Sequence, residues 1–172
     1  MSIQTNDFDA EALYQTLLGQ VRAGLHGMPD VAIVGIHSGG AWLAERLARD
    51  LDLSARFGVI DASFYRDDYA HKGLHADVKP TAINFDVDRA HILLVDDVLY
   101  TGRTTRAAIN VLFDYGRPAR IMLAALADRG QRQLPVAADF VAAHVQVDAG
   151  HSLVLARADD GRFSLTIEAD QN

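Results

Sequence analysis

The stretch HILLVDDVLYTGRTTRAA, residues 91–108, decides how the chain reads. Four apolar residues, Ile92, Leu93, Leu94 and Val95, run without a break into Asp96 and Asp97, as in a buried strand that ends on two carboxylates. A loop of Thr101, Gly102, Arg103, Thr104 and Thr105 follows, and a helix is expected from Arg103 to about Tyr115. Such a loop offers free backbone N–H groups at the positive end of the helix dipole, a ready site for a phosphate monoester, and the threonines add hydroxyl donors. GxxxxGK[ST] does not occur, so this is no triphosphate P-loop. The two carboxylates would repel a phosphate bound directly to them. They can instead accept hydrogen bonds from vicinal sugar hydroxyls, or hold the waters of a divalent cation. Paired acids at a strand end also occur as plain helix caps. With the Thr-Gly loop behind them, they read as a ribose-5-phosphate cradle.

Outward from this stretch the chain alternates between strand and helix. Asn6 and Asp7 are placed to cap a helix reaching about Leu25, with Leu13, Leu17 and Val21 on one face. VAIVGIH (31–37) is a second buried strand, and Ser38-Gly39-Gly40 opens a helix that aligns Leu43, Leu47 and Leu51. FGVIDASFY (57–65) and RIMLAALAD (120–128) are further strands, and Gly116-Arg117-Pro118 stops the helix before the latter. Ile109, Leu112 and Phe113 are expected on the inner face of that helix. Residues 66–82 lose periodicity, as a functional lid does. After residue 128 come short β runs, FVAAHVQV, SLVLAR and RFSLTIEA, the last two flanking an Asp160-Gly161 turn. The pattern is α/β, a mostly parallel sheet flanked by helices on both faces. Ligands in such sheets sit beyond the carboxyl ends of the strands. The loops at 37–41 and 96–105 both lie there, and so does the lid.

At 172 residues one domain is expected, spanning 1–172, with a core over about 7–128. There is no cysteine, which excludes disulfides, thiolate catalysis and Cys-ligated zinc and suits a reducing compartment. The N-terminus does not read as a secretory signal, and no apolar run reaches the roughly 18 residues of a membrane span. The reading is a cytoplasmic protein. A net charge of −7 argues against non-specific nucleic-acid binding by the chain as a whole. Yet Arg103, Arg106, Arg117, Arg120, Arg129 and Arg132 face only Asp114 and Asp128 in the stretch 101–132. Arginine suits bidentate phosphate contacts, and a solvated helix face explains the cluster equally well. His71 and His75 have metal-pair spacing, but Gly73 lies between them and a solvated loop is the better reading. His144 and Tyr14 read as structural, and Trp42 as core or subunit contact.

VDDVLYTGRTTRAA resembles the phosphoribosyl-pyrophosphate signature of the type I phosphoribosyltransferases. With SFYRDDY (63–69), FDYGRPARIMLAALADRG (113–130) and RQLPVAADF (132–140), the chain is similar to the bifunctional pyrimidine-operon regulator/uracil phosphoribosyltransferase family over roughly residues 10–168. The resemblance implies that family's fold, with a small C-terminal β-rich hood over about 129–168 and the lid at about 66–82. It implies that Asp96 and Asp97 accept the ribose hydroxyls, and that Thr101, Gly102, Arg103, Thr104 and Thr105 hold the 5-phosphate. His37, Ser38, Gly39 and Gly40 would face pyrophosphate, and Arg66 on the lid would close over it. Arg129 and Leu153 would border the base. Relatives acting on 6-oxopurines carry an Asp where this chain has Tyr100, which favours a pyrimidine and puts Tyr100 beside the base.

The implied reaction joins phosphoribosyl pyrophosphate and uracil into UMP and pyrophosphate. Mg²⁺ would arrive with the substrate and sit near Asp96 and Asp97. The implied assembly is a homo-oligomer, dimer or tetramer. Two positions depart from the family pattern. Gly39 stands where an Arg is usual, removing a cation from the pyrophosphate loop, and Ala142-Ala143 with Val147-Asp148-Ala149 replace Gly-Lys and Pro-Thr-Ser. The lost lysine weakens binding to a pyrimidine-leader RNA. A UMP-sensing RNA-binding regulator with weak or no transferase activity is the alternative, and a transferase for another base is a third.

Overall fold

The computed structural model describes residues 7–62 and 80–171. Its centre is a six-stranded sheet of β2 (Val31–Ile36), β3 (Phe57–Ile60), β4 (Ala82–Ile83), β5 (His91–Leu99), β6 (Arg120–Asp128) and β7 (Phe140–His144). The spatial order is β4-β3-β2-β5-β6-β7, with only β4 antiparallel to its neighbour. Every residue of β2 is buried, as a strand covered on both faces must be. Alternate side chains serve the two faces. Ile33, Leu93, Val95 and Leu126 pack with helices α1 (Ala10–Leu25) and α2 (Gly39–Asp50). Val34, Ile92, Leu94 and Leu123 pack with helix α3 (Arg103–Tyr115). No helix among the described residues is long and apolar enough to cross a membrane.

A second, antiparallel sheet joins the two ends of the chain: β1 (Asp7–Phe8) pairs with β9 (Phe163–Ala169), which pairs with β8 (His151–Arg157). Arg46 of α2 fastens this sheet to the core. Its guanidinium lies 4.0 Å from the Phe163 ring centroid and 4.7 Å from that of Tyr14. It also donates to Glu11 Oε2 at 2.7 Å and to the Gly161 carbonyl at 2.5 Å. The Arg46 hydrogen bond is the main reason that the Glu11 carboxyl stays below its usual range. Tyr14 is fully buried and donates to Asp50 Oδ2 at 2.6 Å.

The structure corrects several expectations. Asp7 lies in β1, and Asp9 caps α1 by accepting the Ala12 N–H at 3.0 Å. β5 continues two residues beyond Asp97, because Val98 and Leu99 keep pairing with Ala127 and Asp128 of β6. β7 is the parallel edge strand of the main sheet, not part of a separate hood, since Ala124 to Asp128 offer it a free ladder. Phe113 is 53% exposed, because α3 turns Val111 and Leu112 inward instead. The expected lid, with Arg66, His71 and His75, lies outside the described residues except for positions 80–82.

Replacing Arg46 by Ala removes the cation–π contacts and leaves Glu11 with the Phe163 N–H but no cation on it. Stability to urea should fall by about 2–3 kcal/mol. A loss under about 0.5 kcal/mol would mean that the small sheet is held by its apolar contacts alone.

Candidate active site

The carboxyl ends of β2, β5 and β6 converge on a cavity of about 640 Å³. On one side it is lined by His37 and Ser38, across its floor by Asp96 to Leu99, and along the next loop by Tyr100 to Thr105; Arg129, Ser152 and Leu153 close it. The sheet order itself makes this convergence, because β2 and β6 flank β5 in parallel. Of the residues expected at the site, Arg66 lies outside the described residues. Gly39 and Gly40 do not line the cavity but are buried against its floor.

The loop into α3 turns at Gly102, whose φ of 92° is the left-handed conformation that glycine adopts without strain. α3 therefore starts with no side-chain cap at Gly102. Thr101 Oγ1 accepts the Arg103 N–H at 3.2 Å. Thr105 is buried, and its hydroxyl has no partner among the described residues. A buried hydroxyl without a partner costs about 1–3 kcal/mol unless a ligand or water completes it, so the cavity is built to receive an acceptor there. Arg103 lines the cavity but gives its Nε–H to Gln133 Oε1 at 2.8 Å.

Asp96 is buried and accepts the Asp97 N–H at 2.9 Å; Asp97 is half-buried and accepts the Val98 N–H at the same distance. The two glycines of α2 stand directly against them. A Cβ on Gly39 would overlap the Asp97 carboxylate, and one on Gly40 would overlap the Val95 carbonyl and lie 2.9 Å from Asp96 Cα. Gly39 therefore has a packing reason that the sequence alone did not reveal, where an Arg had been the family expectation. The His37–Ser38 peptide is cis, and the His37 N–H donates to the Ile60 carbonyl at 3.0 Å. His37 Nε2 is buried without a partner among the described residues.

Opposite, Arg129 lies flat on Tyr100, with its guanidinium carbon 3.9 Å from the ring centroid. Its Nη1 donates to the His151 carbonyl at 3.1 Å, while its buried Nε–H has no partner among the described residues. Beneath it is an ion pair that sequence reasoning missed: Arg132 Nη2 sits 2.6 Å from Asp128 Oδ2. The i, i+4 spacing of Asp128 and Arg132 was the available signal. The Arg132 hydrogen bond, opposed in part by burial, holds the Asp128 carboxyl below its usual range. His144 is not a packed strand residue: its side chain is 81% exposed, with Nδ1 3.9 Å from Asp128.

The cavity thus joins a strand-end pair of carboxylates, a glycine-initiated helix and buried polar atoms on its walls. Residues 9–152 match the family model for the phosphoribosyl transferase domain. The chain belongs to that family. Within it the chain falls among the proteins named bifunctional protein PyrR. The one from Ralstonia nicotianae is 53% identical over 169 residues, 95% of this chain and 97% of the relative. The one from Nitrosococcus oceani is 48% identical over 136 residues, 78% of this chain and 77% of the relative. Among solved structures, a hypoxanthine phosphoribosyltransferase from Staphylococcus aureus has the same fold, with a TM-score of 0.61 at 19% identity, covering 81% of this chain and 75% of that one. A purine phosphoribosyltransferase from Pyrococcus horikoshii has a TM-score of 0.58 at 26% identity, covering 80% and 83%.

Two outcomes follow from this geometry. Gly40→Ala, whose methyl meets backbone, should cost about 2–3 kcal/mol of stability, and Gly39→Ala less than about 1 kcal/mol, because a carboxylate can turn where a strand cannot. Equal losses in urea titrations would contradict that packing. The second concerns acid. Since the native Asp128 carboxyl is held low, its ion pair contributes fully above the unfolded value of about 3.9 and is lost as pH falls through the native value. The Tm gap between the wild type and Asp128→Asn should therefore be constant above about pH 5 and shrink below about pH 4. A gap unaffected by acid would mean that the pair adds nothing to stability.

Proposed function

We propose that the chain acts in the cytoplasm and transfers the 5-phosphoribosyl group of phosphoribosyl pyrophosphate to uracil, giving UMP and pyrophosphate. The observation that carries this reading is the meeting of unsatisfied donors and carboxylates in one cavity. Thr105 Oγ1 and His37 Nε2 are both buried without partners, and Asp96 and Asp97 line the same cavity. An anionic ligand with phosphate at each end and hydroxyls between them would satisfy all four. The kinship with the PyrR proteins supports the pyrimidine, as does Tyr100 immediately before the Thr-Gly.

In this reading Thr101 to Thr105 hold the 5-phosphate with backbone amides and hydroxyls at the N-terminus of α3. Asp96 and Asp97 accept the ribose hydroxyls. When the bond at the anomeric carbon loosens, positive charge spreads over the ring, and two nearby carboxylates stabilise it in a water-poor cleft. His37, Ser38 and the amides at the start of α2 receive the departing pyrophosphate. Arg66 is assigned to close over it. Arg129, Tyr100 and Leu153 hold the base, with the free Arg129 Nε–H offered to a carbonyl oxygen. The donor set fits Mg²⁺, which favours one or two carboxylates together with substrate phosphates and water; Asp96 and Asp97 would hold it. The ion would neutralise charge on the pyrophosphate oxygens.

The resemblance to the pyrimidine-operon regulator family, together with the name bifunctional carried by the relatives, favours a second role in RNA-linked regulation. Arg117 and Arg120 are solvent-exposed and available to it, whereas Arg129 and Arg132 are tied into the site. A steep fall of pyrimidine-leader RNA affinity with salt would support that role.

The test is pyrophosphate release from phosphoribosyl pyrophosphate with Mg²⁺, using uracil, orotate, hypoxanthine, guanine and adenine separately. Release with uracil alone is expected, and its loss in the folded Asp96→Asn/Asp97→Asn variant. Equal release with a purine would overturn the base assignment, and full turnover in the variant would overturn the ribose assignment.

A further inference from the structure

The segment after β6 is laced to the phosphate loop one residue at a time. The Arg129 N–H donates to the Leu99 carbonyl at 3.0 Å. Arg132 Nη1 donates to the Tyr100 carbonyl at 2.7 Å. The N–H groups of Gln133 and Leu134 donate to the Thr101 carbonyl at 2.9 and 3.2 Å. Three consecutive carbonyls at the entrance to the loop are thus engaged by residues 129–134. Their negative ends are committed to that segment, which suits a loop whose opposite dipole ends must meet an anion.

Arg132 is the fixed point of this lacing. Its Nη1 and Nη2 bind Asp128 Oδ1 and Oδ2 at 2.9 and 2.6 Å, and its Nε donates to the Val136 carbonyl at 2.9 Å. Asp128 is anchored in turn, ending β6 and accepting the Gly130 N–H at 2.8 Å. One planar guanidinium therefore joins the end of β6, the mouth of the phosphate loop and the chain beyond the base side. A lysine has one nitrogen and cannot span the three. Arg132 does not line the cavity, so it acts only through what it holds.

We infer that Arg132, clamped by Asp128, is a positioning residue that makes the base side and the 5-phosphate loop a single rigid unit. Loosening it weakens both halves of the site together, because Arg129 and Tyr100 on one side and Thr101 on the other hang from the same clamp. The inference rests on the transferase reading above for the identity of the two ligands.

The test is steady-state kinetics of Arg132→Lys beside the wild type, with folded protein counted by its unfolding amplitude. The KM for phosphoribosyl pyrophosphate and the KM for uracil should both rise, each on the order of tenfold. A residue that served stability alone would lower the active fraction and leave both KM values unchanged; that result, or a rise in one KM only, would overturn the clamp. If Arg132→Lys does not fold, Asp128→Asn carries the same test, since its amide oxygen still accepts the Gly130 N–H. Absence of turnover in the wild type would defeat the transferase reading and leave the clamp to be judged by UMP calorimetry. There a tenfold weaker Kd in the variant supports it, and an unchanged Kd overturns it.

Discussion

The approach of α2 to β5 is the contact on which the rest depends. Gly39 and Gly40 let the first turn of the helix lie directly on the strand, against the Val95 carbonyl and the Asp97 carboxylate. A Cβ at Gly40 would meet the backbone of the strand, and one at Gly39 the Asp97 carboxylate. This brings Leu43 and Leu47 down onto the core beside Ile33 and Leu93. It also sets the positive end of the α2 dipole beside a carboxylate, a favourable arrangement that leaves the cavity floor less repulsive to anions. Packing and electrostatics are served by the same two glycines.

The arginines divide by what they hold. Arg46 lies between two rings and a carboxylate far from the cavity, and closes the small sheet onto α1 and α2. Arg129 stacks on Tyr100 and keeps one donor free inside the site. Arg132 touches only protein. Delocalised, weakly hydrated guanidinium suits all three tasks, since each requires a cation lying flat or forked in a partly dry setting. The chain's near-exclusive use of Arg over Lys fits that demand at these positions.

The two sheets meet the site differently. Parallel β2, β5 and β6 deliver His37, Asp96 and Asp97 from their carboxyl ends, where loops leave the sheet and backbone polar groups are free for ligands. β8 of the small sheet reaches in from the side with Ser152 and Leu153. The apolar wall that Leu153 supplies therefore depends on pairing between segments at opposite ends of the chain, β1 with β9 and β9 with β8.

The local code was plain in the sequence. α3 runs over Arg103–Tyr115 and β6 over Arg120–Asp128, the bounds that the Thr-Gly loop, the Gly-Arg-Pro stop and the apolar run implied. These signals are read within a few residues, so they survive without tertiary information. The carboxylate pair and the hydroxyl loop were legible for the same reason. The placement of β7 was not, because a half-buried run of five residues carries no mark of the sheet that it will join. Nor was the outward turn of Phe113, which is decided by how α3 rolls on Leu94 and Leu123. Gly39 looked like a missing cation until the neighbouring strand showed the Asp97 carboxylate packed against it. Arg132 read equally as a phosphate contact or as surface charge until Asp128, Tyr100 and Val136 were seen around it. The sequence by itself determined the long strands, the helices and the carboxylates and hydroxyls that line the cavity, through periodicity and turn chemistry that act over a few residues. Only the tertiary structure decided which donors were left unpaired, which glycine of α2 lies against backbone and which arginine holds the site together, because each of those depends on atoms brought near from distant parts of the chain.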